Sequence, residues 1–312
     1  MTTSASVDFS VSRDNLIEDA LRTAGIIGID DSASSNQLTW AARLLNMYKK
    51  SLGAHGPALW ARKTGWILPQ TDTNEIDLGP SGDHATLSYV QTQTSAAASS
   101  GATTITVDSI TGISASDKIG IEQDDGEVQW TTVSGAPSGS TITLATALAD
   151  DVANDAYVWT YTTKLVRPLR ILEAYVRDEV GNTETPIDVL SKQEYETVGS
   201  KESDGVPNML AYDPQLTDGR AYIYPRISDG STLIKIIFQR PFEDFDAADD
   251  TPDFPQEWYL ALMLNLAVLL APAGGLPVND RKLLIQEAGM ALLTAQGNEP
   301  EEGSLKIQPE FR

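Results

Sequence analysis

Few side chains in this 312-residue chain are of the types that carry covalent or metal chemistry. It has no cysteine, which excludes a disulfide framework, a thiolate ligand and a thiol nucleophile. Its two histidines, His55 and His84, leave almost no material for a histidine metal site or a triad. His55 stands beside Gly56-Pro57 and reads as a loop residue. Carboxylates are abundant, but no pair is marked by its spacing for glycoside hydrolysis. Asp124, Asp125 and Glu127 surround Gly126 at an expected hairpin tip, where turn chemistry accounts for them. The run Asp244–Asp253 lacks the alternating Asp/Asn spacing and the Gly of a calcium loop. It reads as a solvated connection whose Asp253 caps the following helix. P-loop, G-x-G-x-x-G, G-x-S-x-G and H-E-x-x-H patterns are all absent. The expectation is therefore a protein that binds and assembles, with no catalytic residue, no metal and no cofactor.

Charge carries one departure from the average. The formal net charge is −22, which argues against a broad grip on phosphate backbones. Yet no acid lies between Asp31 and Asp72, whereas Arg43, Lys49, Lys50, Arg62 and Lys63 do, giving that stretch a net charge of +5. Two readings stay open: local ion pairs with acids elsewhere, or a patch facing an acidic partner or DNA phosphate.

The elements that would hold these residues fall into blocks. Ser12 is a good N-cap, Val11 and Leu16 form a staple, and Leu16, Ile17, Ala20, Leu21 and Ala24 make one stripe that Gly25 stops. A second helix begins near Ser34–Ser35 and ends at Gly53. From about Thr64 the period falls to two. Val90–Gly101 reads as a small-residue linker, followed by short Thr/Val/Ile-rich strands at 103–107, 118–122, 127–133, 140–145 and 156–163. Further strands are expected at 170–176, 185–190, 208–213, 221–225 and 232–238, with an S-x-x-E capping box at Ser191 and Glu194. Helices return at 254–271 and about 278–296. The predicted fold class is α+β: a helical bundle formed by both chain ends, with inserted antiparallel β-modules built as a small barrel or sandwich. The predicted segments are 1–66 (first helical half), 67–163 (inserted β-module), 164–243 (second β-module), 244–296 (second helical half) and 297–312 (extended tail).

DFPQEWYLALMLNLAVLLAP, residues 253–272, is the most apolar stretch, with Asn265 the one polar residue between Trp258 and Ala271. A run of 14 is short of the roughly 20 residues a spanning helix needs, so a buried helix is expected. The opening MTTSASVDFSVSRDN has neither basic head nor apolar core, so no secretory signal is expected. A helix apolar all round must be covered on every side. Either the rest of the chain covers it, or Trp258, Leu264 and Leu269 meet another subunit.

The opening SRDNLIEDALRTAGIIGIDDSASSNQLTWAARLLNMYKKSLGAHGPALWARKTGW, with its A-L-R-x-x-G turn, resembles the start of head-to-tail adaptor proteins of tailed phages, mainly short-tailed ones. FPQEWYLALMLNLAVLLAPAGGLP, an F-P-x-E-W motif leading into an apolar helix that ends in A-P, is similar to their C-terminal half. The two stretches cover roughly 120 residues. The resemblance implies a virion protein assembled in the host cytoplasm. It would form a ring, usually of twelve copies, beneath the portal, extend the DNA channel without reading sequence, and offer a platform for the tail nozzle. It implies that Leu305, Ile307 and Phe311 anchor a tail docked on the portal, and it implies no membrane. The segment 91–163 departs from shorter adaptors, which leaves its contacts undefined. The competing reading is a β-rich receptor- or glycan-binding tail module. Trp130, Trp159 and Tyr161 on one exposed face would favour it, although alternating strands place Trp130 and Trp159 more naturally in a core.

Overall fold

The computed structural model describes residues 6–53, 59–71, 73–179 and 181–297. The chain divides into two compact units, one from residues 1–61 and 242–312, the other from residues 62–241.

The first unit is helical. Helix α1 (Arg13–Thr23) starts at Ser12, whose hydroxyl accepts from Asn15 N. Helix α2 (Ser35–Leu52) starts at a capping box of Ser34 and Gln37. A four-residue helix, α3 (Lys192–Tyr195), belongs to the other unit and opens on the Ser191/Glu194 capping box. After the connection come α4 (Tyr259–Gly274), led in by a 3-10 turn at Gln256–Trp258, and α5 (Val278–Gly297). Pro272 lies within the last turn of α4 rather than ending it, and Gly275, at φ 68°, turns the chain out. Gly274 is required by close approach, because a Cβ there would sit 2.2 Å from Ala24 O. One apolar cluster takes Leu16, Ile17 and Leu21 from α1, Leu45 from α2, and Leu262, Leu266 and Leu270 from α4.

The expected α+β molecule organised on a helical bundle from both chain ends is overturned. Among the described residues the protein is mostly β and 26% helical, its dominant element is a nearly closed, barrel-like sheet of eight strands, and no such bundle forms. Among the helices α4 is a hub: α1 and α2 pack against each other and on α4, and α5 packs on α4. The cause is the apolar character of α4 on every side, which lets neighbours attach on more than one of its faces. Helix α5 offers only a narrow buried stripe of Leu284, Ala288 and Ala295. By length and composition alone, Gln256–Gly274 is long and apolar enough to cross a membrane. Its buried stripe lies in the helical core.

The second unit holds every strand among the described residues. Strands β1 (Arg62–Ile67), β2 (Glu75–Leu78) and β3 (Ala85–Thr86) precede the small sheets. They join β10 (Arg170–Asp178), β11 (Thr183–Leu190), β12 (Met209–Asp213), β13 (Gly219–Tyr224) and β14 (Thr232–Gln239) in the order β2-β13-β12-β11-β10-β14-β1-β3. Among the described strands only β11 and β12 pair in parallel, which the α3 crossover permits. Alternation puts Ile67, Ile76, Leu210, Ile223, Ile234, Ile236 and Phe238 in one core. Between β3 and β10 the chain builds a four-stranded sheet, β4 (Val90–Gln93), β9 (Tyr157–Tyr161), β6 (Lys118–Glu122) and β7 (Val128–Thr132), and a pair, β5 (Thr104–Thr106) with β8 (Thr141–Thr143). Ile105, Ile119, Ile121, Ile142, Leu144 and Val158 fill their shared core. Residues 90–93, expected as linker, are a strand on β9, because their backbone has an edge to pair with whatever their side chains.

Leu266 is fully buried at the α4 hub. Leu266→Ala is expected to destabilise the helical unit by about 2–5 kcal/mol, read from urea unfolding followed by circular dichroism.

Candidate functional site

The basic stretch is divided between the two units. Arg43, Lys49 and Lys50 lie on α2 of the helical unit, while Arg62 and Lys63 lie on β1 of the β unit. Arg43 and Lys63 are exposed and Arg62 is half-buried. Lys50 pairs with Asp244 at 3.0 Å and donates to Phe242 O. Lys49 is 1% exposed, with its ammonium 4.0 Å from the centre of the Phe245 ring. Burial pushes the Lys49 pKa down, and Asp253, Asp244 and Glu243 push back. Much of the positive charge of α2 is thus spent within its own unit, on the acidic connection. That connection is also held by its own side chains, since Asp250 accepts from Asp246 N and Ala247 N. Asp253 accepts from Glu243 N at 3.0 Å, and Pro255 rather than Asp253 stands at the N-cap ahead of α4.

The three residues named for a subunit interface are distributed differently. Trp258 is buried among Trp60 and Phe254 in its own unit, and Leu264 is half-buried against the same core. Leu269 is 44% exposed. A more exposed apolar row, missed from the sequence, lies on α5. Leu283, Met290 and Leu293, spaced seven and three, share one helix face, and Leu293 is 70% exposed. The signal was present as a second apolar period on α5, masked by the Leu284–Ala288–Ala295 stripe. Leu305, Ile307, Phe311 and His55 lie outside the described residues.

In the β unit the three aromatics join the two sheet systems. Trp159 is fully buried and donates from Nε1 to Gly230 O at 2.8 Å. Trp130 donates to Pro69 O at 2.9 Å and lies across Gly120, its strand partner, where a Cβ would come within 2.6 Å of the indole. His84 stacks on Trp130 with centroids 3.9 Å apart, and its Nδ1 is 3.0 Å from Tyr161 Oη. Trp159 and Tyr161 are therefore core, with Leu68 and Leu233. Burial, with Lys164 and Lys118 adding to it, pushes the His84 pKa down to about 3. Asp124, Asp125 and Glu127 form a turn in which Glu127 N donates to Asp125 Oδ1. Among the described residues no group of three or more His, Asp or Glu could hold a metal ion.

No protein-family model matches the chain, and no curated protein matches it. Seven solved chains match. One is the Gp54 tailspike of Acinetobacter baumannii bacteriophage AP22, in complex with A. baumannii capsular saccharide, at 14% identity and a TM-score of 0.23. That likeness covers 26% of this chain and 16% of the tailspike, and it carries no inference about fold or function.

Two outcomes test this geometry. Lys49→Met is expected to fold and to shift unfolding free energy by less than about 1.5 kcal/mol, because the stem is already packed and the charge is desolvated. For His84, the folded pKa lies below the unfolded value of about 6.5, so the unfolded chain binds the extra proton first. Stability is then full above about 6.5 and falls as pH drops toward about 3, by up to roughly 1.4 kcal/mol per pH unit from this group. Urea midpoints across that window should decline less steeply in His84→Gln.

Proposed function

We propose that this chain is a non-catalytic structural component of a tailed-phage tail, a β-rich attachment module with an accompanying helical unit. The observation that carries this reading is the β unit itself. Residues 62–241 form one compact body with separate apolar cores for the eight-stranded sheet and for the smaller sheets. Such a body, rigid inside and Thr/Ser-rich outside, suits attachment to a receptor or glycan better than covalent chemistry.

A second reading, the head-to-tail adaptor, is favoured by a different observation. The row Leu283–Met290–Leu293 stands exposed on α5, next to the helix whose F-P-Q-E-W approach resembles the adaptor family. In that reading copies of the chain form a ring at the head–tail junction, the portal and tail nozzle are its partners, and Leu305, Ile307 and Phe311 dock on the portal. A net charge of −22 would let DNA pass a ring without adhering, since phosphate is repelled rather than held.

The two separate on one preparation. Mixed with its cognate portal and imaged by electron microscopy, an adaptor gives rings with the portal's symmetry. Leu283→Ser/Met290→Ser/Leu293→Ser should abolish those rings while leaving the melting temperature unchanged. A receptor module instead remains apart from the portal and adsorbs to host cells. A chain that does neither defeats both readings.

A further inference from the structure

We propose that the outer face of the eight-stranded sheet, where β10, β14 and β1 lie side by side, binds a neutral oligosaccharide chain, an inference that rests on the reading of the β unit as an attachment module. Strand register sets the row. Tyr175 of β10 stands opposite Lys235 of β14, which stands opposite Trp66 of β1, so the three side chains leave the same face. That face is the outward one, because Ile234 and Ile236, on either side of Lys235, belong to the core of the sheet.

The row continues into a circuit of touching groups. The Lys235 ammonium lies 5.6 Å from the centre of the Tyr175 ring and pairs with Glu184 at 2.8 Å. Glu184 is 3.7 Å from Arg177, which pairs with Glu179 at 3.1 Å, and Glu179 accepts from Tyr89 Oη at 3.2 Å. The Tyr89 ring meets Trp66 edge-on, with centroids 5.3 Å apart, which brings the circuit back to the row. Water reaches its members. Trp66, Tyr89 and Tyr175 are half-buried, and the side chains of Arg177, Lys235 and Glu184 stay 24%, 24% and 33% exposed.

This mixture of rings and paired charges selects the ligand. Covering apolar ring surface is worth about 25 cal/mol per Å², and the C–H face of a pyranose covers it. Ion-paired guanidinium and carboxylate groups keep donor and acceptor positions beyond the pair itself. A sugar hydroxyl both donates and accepts, so neighbouring hydroxyls suit Arg177 and Glu184 together. Two cations, Arg177 and Lys235, stand among three carboxylates, Glu173, Glu179 and Glu184, with Glu173 accepting from Tyr175 Oη at 2.6 Å. A polyanion would meet the carboxylates and a polycation the two cations, so charge favours an uncharged partner. Length follows from the sheet. Strands about 4.8 Å apart put Tyr175 and Trp66 roughly 10 Å from each other, more than one sugar ring spans, so the ligand is a chain lying across the strands.

The test uses the full chain, with tryptophan fluorescence and isothermal titration against the hexaoses of cellulose, amylose, xylan, mannan and chitin, and heparin as a polyanionic probe. At least one hexaose should bind, and its monosaccharide should bind far more weakly. Tyr175→Ala and Glu184→Gln should each weaken that binding by roughly tenfold, while Lys192→Ala, on α3, leaves it unchanged. Melting curves identify a variant that fails to fold, and the other then carries the test. Binding of none of the hexaoses, binding of heparin alone, or equal binding in the folded variants would each overturn the assignment. Host-cell adsorption separates it from the broader reading. Cells bound equally by wild type and both variants would leave the attachment module standing and remove this face from it. Wild type that binds neither cells nor hexaoses would remove both.

Discussion

Helix α4 has no polar face to offer water, and the helical unit is arranged around that constraint. Apart from Asn265, its residues from Tyr259 to Ala271 are apolar, and Asn265 Nδ2 is itself occupied by Ala261 O and Ala288 O. Each neighbour that covers part of α4 removes apolar area worth about 25 cal/mol per Å² from water. So α1, α2 and α5 attach to α4 rather than enclosing a shared axis. The acidic connection follows the same logic. It places Phe245 over the Lys49 ammonium and Asp244 on Lys50, and its backbone carbonyls at Ala248 and Asp250 accept from the first amides of α1. Four orphan amides open any helix, and here the connection answers two of them.

The β unit meets a different constraint. Two sheet systems, each with its own aliphatic core, are joined through large aromatic side chains whose polar atoms need partners when buried. Trp159 and Trp130 each find a carbonyl, and His84 and Tyr161 find each other. The imidazole stays neutral because a charge there would lose water and gain two nearby ammonium groups as neighbours. Those rings, which could have faced a ligand, are therefore structural.

Legibility from the sequence followed locality. The caps at Ser12, Ser34 and Ser191 are settled within four residues, and each was readable. The strands at 118–122 and 232–239 carry enough branched residues to declare themselves. Residues 90–93 and 85–86 do not, since Gln, Thr and Ala there become strand only because β9 and β1 present edges to pair with. The helical bundle failed for a related reason: periodicity reports which face of a helix is apolar, not how many neighbours will share it.

What the sequence determined by itself was composition-bound and local: no thiol chemistry, a strongly acidic chain, capped helices toward both ends, and Thr-rich strands between. The tertiary structure alone decided that β1, β2 and β3 complete the sheet of β10–β14 across a long insertion. It alone decided that Lys49 is buried while Arg43 is exposed, and that Tyr175, Lys235 and Trp66 share one row of that sheet. Partners distant in the chain meet only after loop closure, and the burial and charge of a side chain's surroundings are properties of those partners rather than of its neighbours in sequence.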